Sequence, residues 1–229
     1  MKKDFVTGAR ISLPICMGVI PIGISYGLIA VQGGFTSLQA ILMSALVIAG
    51  SAQIMAVGMV GQGAAVGTIV LATFLLNLRL IVMSSSIMNT LKKVPFVHKL
   101  AAAFTITDES FALFSFSQEK NLPFLLGANL TLYVAWVGGS AAGCMINAFL
   151  PDIVADSFGI AFYAAFLGML IPSVNKNIRL LLLVCITALM NTLLQLFLPS
   201  SYAIIISMIL GAAIGTFFVD LKEEKTDGQ

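Results

Sequence analysis

Runs of about twenty apolar residues follow one another along this 229-residue chain, parted only by short polar links. About 20 apolar residues in a helix cross a bilayer core, and a helix satisfies its own backbone there. By that ruler helices are expected near 11–32, 38–60, 64–89, 123–149, 158–173, 179–198 and 202–219. The stretch 100–117 is a shorter, more polar eighth candidate. The chain therefore reads as an all-α polytopic membrane protein with seven or eight transmembrane helices. It forms one domain over 1–229, with a charged, solvated tail from about residue 220. Composition agrees, because only 10% of residues are charged and mean hydropathy is +1.03. A soluble domain carries about 25% charged residues, so this chain has too few to cover itself in water.

The net charge of +2 comes from short clusters between the apolar runs, with no basic face for nucleic acid. Cys16, Cys144 and Cys185 lie far apart inside apolar segments, without CxxC spacing, and read as small core hydrophobes. Met1-Lys2-Lys3-Asp4 superficially resembles the start of a signal peptide. The apolar run behind it is too long and lacks a small-residue cleavage site, so a retained first helix is expected. Lys176, Arg179, Lys222 and Lys225 suit a cytoplasmic C-terminus, and the loop bearing Asp152 and Asp156 suits the outside. The first half gives no such answer. If 100–117 spans, Lys2, Lys3 and Arg10 lie inside while Lys92, Lys93 and Lys99 fall outside; if it is re-entrant, the assignment inverts. Asn77-Leu78-Arg79-Leu80 is echoed 100 residues later by Asn177-Ile178-Arg179-Leu180, a weak sign of an internal repeat of the kind transporters use.

Polar residues inside the apolar runs are the candidates for chemistry. Asp108 and Glu109 are adjacent acids in an otherwise apolar stretch. A charged Asp at a helix centre costs about 2.5–3.5 kcal/mol, and intramembrane carboxylates usually mark a proton or substrate path. Adjacent residues point about 100° apart on a helix, so one can face a cavity while the other pairs structurally. The alternative is a surface segment with both acids solvated. In the first helix Pro14 and Pro21, with Gly18, Gly23 and Gly27, predict a kink or break near Pro21 where backbone groups meet a substrate. Close helix packing through Gly23 and Gly27 is the alternative. Ala49-Gly50-Ser51-Ala52-Gln53 combines small residues with an amide, suited either to an amino-acid head group or to an interhelical hydrogen bond. Asn77 and Arg79 lie deep in their run. Arg79 there needs a partner such as Asp108 or Glu109, or a substrate carboxylate, unless it snorkels to the interface. Asn129, Tyr133 and Trp136 fall near mid-segment, as pocket lining or as packing.

In order along the chain, Pro14…Gly18…Pro21-Ile22-Gly23, Ala49-Gly50-Ser51-Ala52-Gln53, Asn77-Leu78-Arg79, Thr107-Asp108-Glu109-Ser110-Phe111, Trp136-xx-Gly139 and Phe162…Ala165-Phe166 resemble the AzlC family of branched-chain amino-acid permeases. The resemblance covers nearly the whole chain. It departs at Gly159-Ile160-Ala161-Phe162, where many relatives carry an Asp, which puts this member's energetics in question. The resemblance implies a bacterial cytoplasmic-membrane exporter of leucine, isoleucine or valine, driven by the proton gradient and assembled with a small AzlD-type membrane subunit.

The expected function is thus secondary export of hydrophobic amino acids, with membrane lipid and the small subunit as partners and no cofactor. Asp108 and Glu109 would handle the proton. Gln53, Asn77 and Arg79 would bind the zwitterion, helped by Pro21, Gly23, Gly50 and Trp136. A passive channel or a non-transporting assembly subunit is the alternative, although charge rings and repeated carbonyl filters are not visible. An enzyme is not expected, since the single histidine, His98, sits in a basic loop and no His/Cys/Asp cluster suits a metal.

Overall fold

In the computed structural model of the chain, residues 2–91, 94–147 and 178–218 are described. The helix expected at 158–173, the loop 151–157, the Asn177 end of the sequence echo and the tail from 220 lie outside them. Every element among the described residues is helical. In order they are α1 (Lys2–Gln32), α2 (Ser37–Val47), α3 (Gly50–Gly61), α4 (Val66–Thr90), α5 (Phe96–Phe104), α6 (Asp108–Phe116), α7 (Leu122–Asn147), α8 (Ile178–Gln195) and α9 (Ser200–Phe218). Helices α1, α4, α7 and α8 are long and apolar enough to cross a membrane. The all-α membrane reading therefore holds. The chain divides into two compact units, Met1–Tyr163 and Ala164–Gln229. In the second unit α8 and α9 pair, with Gly211 against Thr187 and Ser207 Oγ donating to Asn191 Oδ1 at 3.3 Å.

The first unit is organised by two long helices lying side by side in parallel. Gly8 of α1 faces the Phe124 backbone of α7, Gly23 faces Trp136 and Gly139, and Gly27 faces Ser140 and Cys144. In return Gly127 faces Phe5, and Gly143 faces Ile24. Small residues let helix backbones touch, and here the expected Gly23/Gly27 and Gly139/Gly143 pairs meet each other. Because residue numbers rise together along the contact, both N-termini lie at one end.

That single fact fixes the path of everything between. The last turn of α4 (Ile87) and the Leu91 that follows it share an apolar cluster with Phe124 and Leu125 at the start of α7. So α4 ends where α1 and α7 begin. At 25 residues it is about 37 Å long, which puts its start at the opposite end. Helices α2 and α3 therefore leave the far end of α1 and return to that same end. Tyr26 Oη donates to the Ala40 carbonyl near the top of α2, and Val57 of α3 comes back against Gly33 just beyond α1. By the same logic α5 and α6 enter from the N-terminal end and return to it. The C-terminus of α6 is closed there by Lys120, whose Nζ donates to the carbonyls of Phe114 and Ser115.

Both pairs are thus helical hairpins, built from half-helices of 9–12 residues that reach about halfway through a core of about 30 Å. They enter from opposite ends. The single helix expected over 38–60 is corrected to α2 and α3, parted at Ile48 and Ala49. Ile48 has left-handed φ of 52°. The stretch 100–117 is likewise two half-helices, parted at Thr105–Thr107. The break expected in the first helix is also corrected, because α1 runs unbroken through Pro14 and Pro21. The prolines sit seven residues apart on its exposed side, away from the glycine seam that ties α1 to α7. A lost hydrogen bond on that side bends a helix without cutting it.

The arrangement repeats. Starts recur 59, 58 and 56 residues on, from Ser37 to Phe96, from Gly50 to Asp108 and from Val66 to Leu122. Each repeat, α2–α4 and α5–α7, is a hairpin followed by a span, and the α5–α7 repeat is inverted relative to α2–α4. Inverted repeats of this kind place broken helices around a site near mid-membrane. This repeat differs from the 100-residue sequence echo.

Candidate functional site

Irregular backbone at membrane depth is tolerated only where protein supplies its hydrogen bonds. At the first break Gln53 does so. Its side chain is fully buried, and its Oε1 accepts from the Ala49 amide at 3.3 Å and from Trp136 Nε1 at 3.2 Å. Its Nε2 donates to Ser44 Oγ at 3.3 Å, Ser44 donates to Ser140 Oγ at 2.7 Å, and Ser140 donates to the Trp136 carbonyl at 2.8 Å. The ring of Trp136 lies 5.7 Å from that of Tyr26, and a Cβ on Gly50 would meet it at 2.8 Å. Gly50 therefore makes room for the indole.

This closed network gives a direct prediction. Gln53→Leu leaves the Ala49 and Trp136 N–H groups buried without acceptors, at about 1–3 kcal/mol for each such group. Thermal unfolding of the purified protein in nanodiscs should fall well below wild type. Trp136→Phe, which removes one donor and leaves Gln53 its other partners, should fall less.

At the second break an amide again holds the chain. Asn129 of α7, also buried, donates from Nδ2 to the Ala102 carbonyl at 3.1 Å and to Thr105 Oγ1 at 2.9 Å. Its Oδ1, like that of Asn77, is buried and meets no donor among the described residues. Helix α6 then starts with a reciprocal cap. Thr107 Oγ1 accepts from the Ser110 amide, and Ser110 Oγ accepts from the Thr107 amide at 3.0 Å. The cap aims the first turn of α6, and with it Asp108, toward α4. The start of α3 has no side-chain cap.

One side chain joins the two hairpins. Arg79, midway along α4, donates from Nη2 to Ser51 Oγ at 2.8 Å in the first turn of α3. The same nitrogen lies 3.0 Å from Asp108 Oδ2 in the first turn of α6. The two side chains are 42% and 40% exposed, so the pair is neither sealed nor freely solvated. Glu109, by contrast, forms no ion pair or hydrogen bond among the described residues. It projects about 100° from Asp108, toward the face of α6 that carries Ala112, Leu113 and Phe116. Those residues line an apolar cavity of about 500 Å³, with Ile11 and Ile15 of α1 opposite.

Of the residues expected to form a site, Arg79 and Asp108 are in contact. Glu109 is next to Asp108 in sequence, Gly50 and Gln53 flank Ser51, the α3 partner of Arg79, and Trp136 reaches Gln53 from α7. Asn77 is on α4 two residues before Arg79. Gly23 supports Trp136 from behind through its backbone, at 3.0 Å from a Cβ position to the carbonyl. Pro21 stands apart on the exposed side of α1. Sequence reasoning did not single out Ser44, Ser140, Tyr26 or Thr105. Small hydroxyls in apolar helices are the signal they carry, and it is too common to rank them.

Comparisons with known proteins agree on one family. The model of the family described as AzlC protein matches residues 14–150, which include both hairpins and all three long helices of the first unit beyond the opening turns of α1. An uncharacterized membrane protein of Archaeoglobus fulgidus is 36% identical over 178 residues, covering 76% of this chain and 78% of the relative. Inner membrane protein YgaZ of Escherichia coli is 25% identical over 196 residues, covering 82% of this chain and 78% of the relative. No solved structure matches.

Proposed function

Because the chain belongs to the AzlC family of membrane proteins, we propose that it exports hydrophobic, branched-chain amino acids across the cytoplasmic membrane, coupled to the proton gradient and assembled with a small AzlD-type subunit. The observation that carries this reading is the Arg79–Asp108 pair, set where two opposed hairpins meet. A zwitterion needs a cation and an anion side by side, and alternating access needs a site reachable from either end. Half-helices entering from both ends, with a permanent charge between their tips, meet both needs. A selectivity ring or carbonyl filter of the kind channels use is not what this centre resembles.

The hairpins also support an orientation. Lys2, Lys3, Arg10, Lys99 and Lys120 all belong to the end where α1 and α7 begin, and the sequence adds Lys92 and Lys93 between α4 and α5. The links at the other end, 33–36 and 62–65, carry no Lys or Arg. The positive-inside rule then puts the N-terminus in the cytoplasm. The conflict in the sequence disappears, because it came from counting 38–60 as a span. Helix α7 ends on the opposite side, where the acidic loop of Asp152 and Asp156 follows in the sequence, and we keep the C-terminus in the cytoplasm.

The test is efflux from proteoliposomes holding the full chain with its small subunit. Labelled leucine should be moved against its gradient by an imposed pH difference, and a protonophore should abolish this. Asp108→Asn or Glu109→Gln should insert normally yet lose the gradient-driven component. Unchanged efflux in both variants would remove the acids from the mechanism, and indifference to the protonophore would favour a channel.

A further inference from the structure

We propose that the Arg79–Asp108 ion pair is itself the receptor for the substrate's head group. An α-amino acid inserts into the pair, with its carboxylate on Arg79 and its ammonium on Asp108, so that substrate and proton are alternative occupants of Asp108. This deepens the export reading and rests on it.

Three observations lead here. Arg79 is held from both hairpins, by Ser51 Oγ at 2.8 Å and by Asp108 at 3.0 Å, so opening the pair leaves the guanidinium anchored and its remaining donors free. A guanidinium carries five N–H donors, and the contacts with Ser51 and Asp108 use one nitrogen. The two half-helices α3 and α6 begin at this centre, so their N-terminal dipoles favour a carboxylate beside Arg79. Finally, Asn129, whose Nδ2 holds Thr105 three residues before Asp108, keeps a buried Oδ1 that meets no donor among the described residues.

The exchange conserves charge. Before binding, the guanidinium and the carboxylate neutralise each other; after it, the zwitterion presents the opposite charge to each. A lone carboxylate or a lone amine satisfies one side and strands the other, which is costly at this depth. A proton on Asp108 removes the partner that the ammonium needs. Mutual exclusion of proton and substrate at one carboxylate is the binding condition for antiport, and antiport is what export against an inward proton gradient demands. The charged groups facing Asp108 are Arg79 from α4 and Glu109 beside it on α6. Helix α7 carries no charged residue. His98 and Lys99 of α5, and Lys2, Lys3, Asp4 and Arg10 of α1, lie in the opening turns at the cytoplasmic end.

Equilibrium binding separates this inference from the export reading. The assembled transporter in nanodiscs is titrated with leucine, with leucinol (no carboxylate) and with 4-methylpentanoate (no amine). Leucine is expected to bind at least about tenfold more tightly than either analogue, since each loses a charge-assisted hydrogen-bonded partner. Leucine binding should weaken as pH is lowered, and in Asp108→Asn the residual binding should lose that dependence, while Asp108→Glu should restore it. Equal affinity for leucine and either analogue, or a pH dependence that survives in Asp108→Asn, overturns the inference alone. Failure of leucine and both analogues to bind overturns the amino-acid reading and this inference with it.

Discussion

Gly27→Val should leave almost no folded protein in the membrane. A Cβ at position 27 falls on the Ser140 carbonyl oxygen and lies 2.8 Å from the Cys144 amide nitrogen. Both obstacles are backbone of α7, so no rotamer change relieves them. Overpacking a core costs about 1–3 kcal/mol when side chains can shift. Here two long helices must separate along a seam that also includes Gly8, Gly23, Gly127, Gly139 and Gly143, so the loss should exceed that range. The seam carries the whole first unit, because it sets the end at which each hairpin enters. Size-exclusion profiles of a fluorescent fusion should show aggregate for Gly27→Val. Gly138→Ala and Gly18→Ala should run like wild type, since a Cβ at either position meets nothing within 4 Å.

Arg79→Ala should abolish transport while the protein still folds. The glycine seam and the Gln53 and Asn129 networks do not involve Arg79, so the hairpins keep their shapes. What is lost is the link between their tips. Asp108 is then a carboxylate near mid-membrane without its counter-ion, and the centre keeps no cation to receive a substrate carboxylate. Leucine efflux under a pH difference should drop at least about a hundredfold, equivalent to about 2.7 kcal/mol. Arg79→Lys should rescue little, because a lysine's single nitrogen, once engaged by Ser51 and Asp108, leaves no second nitrogen to offer a substrate carboxylate. Efflux of Arg79→Ala within a fewfold of wild type would remove the ion pair from the transport cycle.

The membrane class, the helical fold and the acids could be read from hydropathy and from the cost of buried charge. The pairing of Arg79 with Asp108 was among the alternatives that charge compensation offered. A re-entrant 100–117 was among the alternatives, but the hairpin at 38–60 was not legible, for a physical reason. Hydropathy reports whether a segment avoids water, and a half-helix that enters and returns avoids it as fully as one that crosses. The first break carries no proline; it rests on a left-handed Ile48 and on the side chain of Gln53, neither of which marks a sequence. The prolines that do mark the sequence fall in α1, where α7 holds the helix straight enough to continue. Gln53 and Asn129 illustrate the same limit. An amide in an apolar helix looks the same whether it awaits a substrate or closes a break in its own backbone. Only the partners tell, and those of Gln53 are all protein.

The opposed hairpins are the claim on which the site, the orientation and the transport reading depend, and sidedness tests them most directly. Single cysteines at Phe35, Gln62, Val97 and Gln118, in a chain with Cys16, Cys144 and Cys185 replaced, can be labelled with a membrane-impermeant thiol reagent from either face. Positions 35 and 62 should label together from outside, and positions 97 and 118 together from the cytoplasm. Labelling of 35 and 62 from opposite faces would make α2 and α3 a crossing helix and contradict the architecture described here.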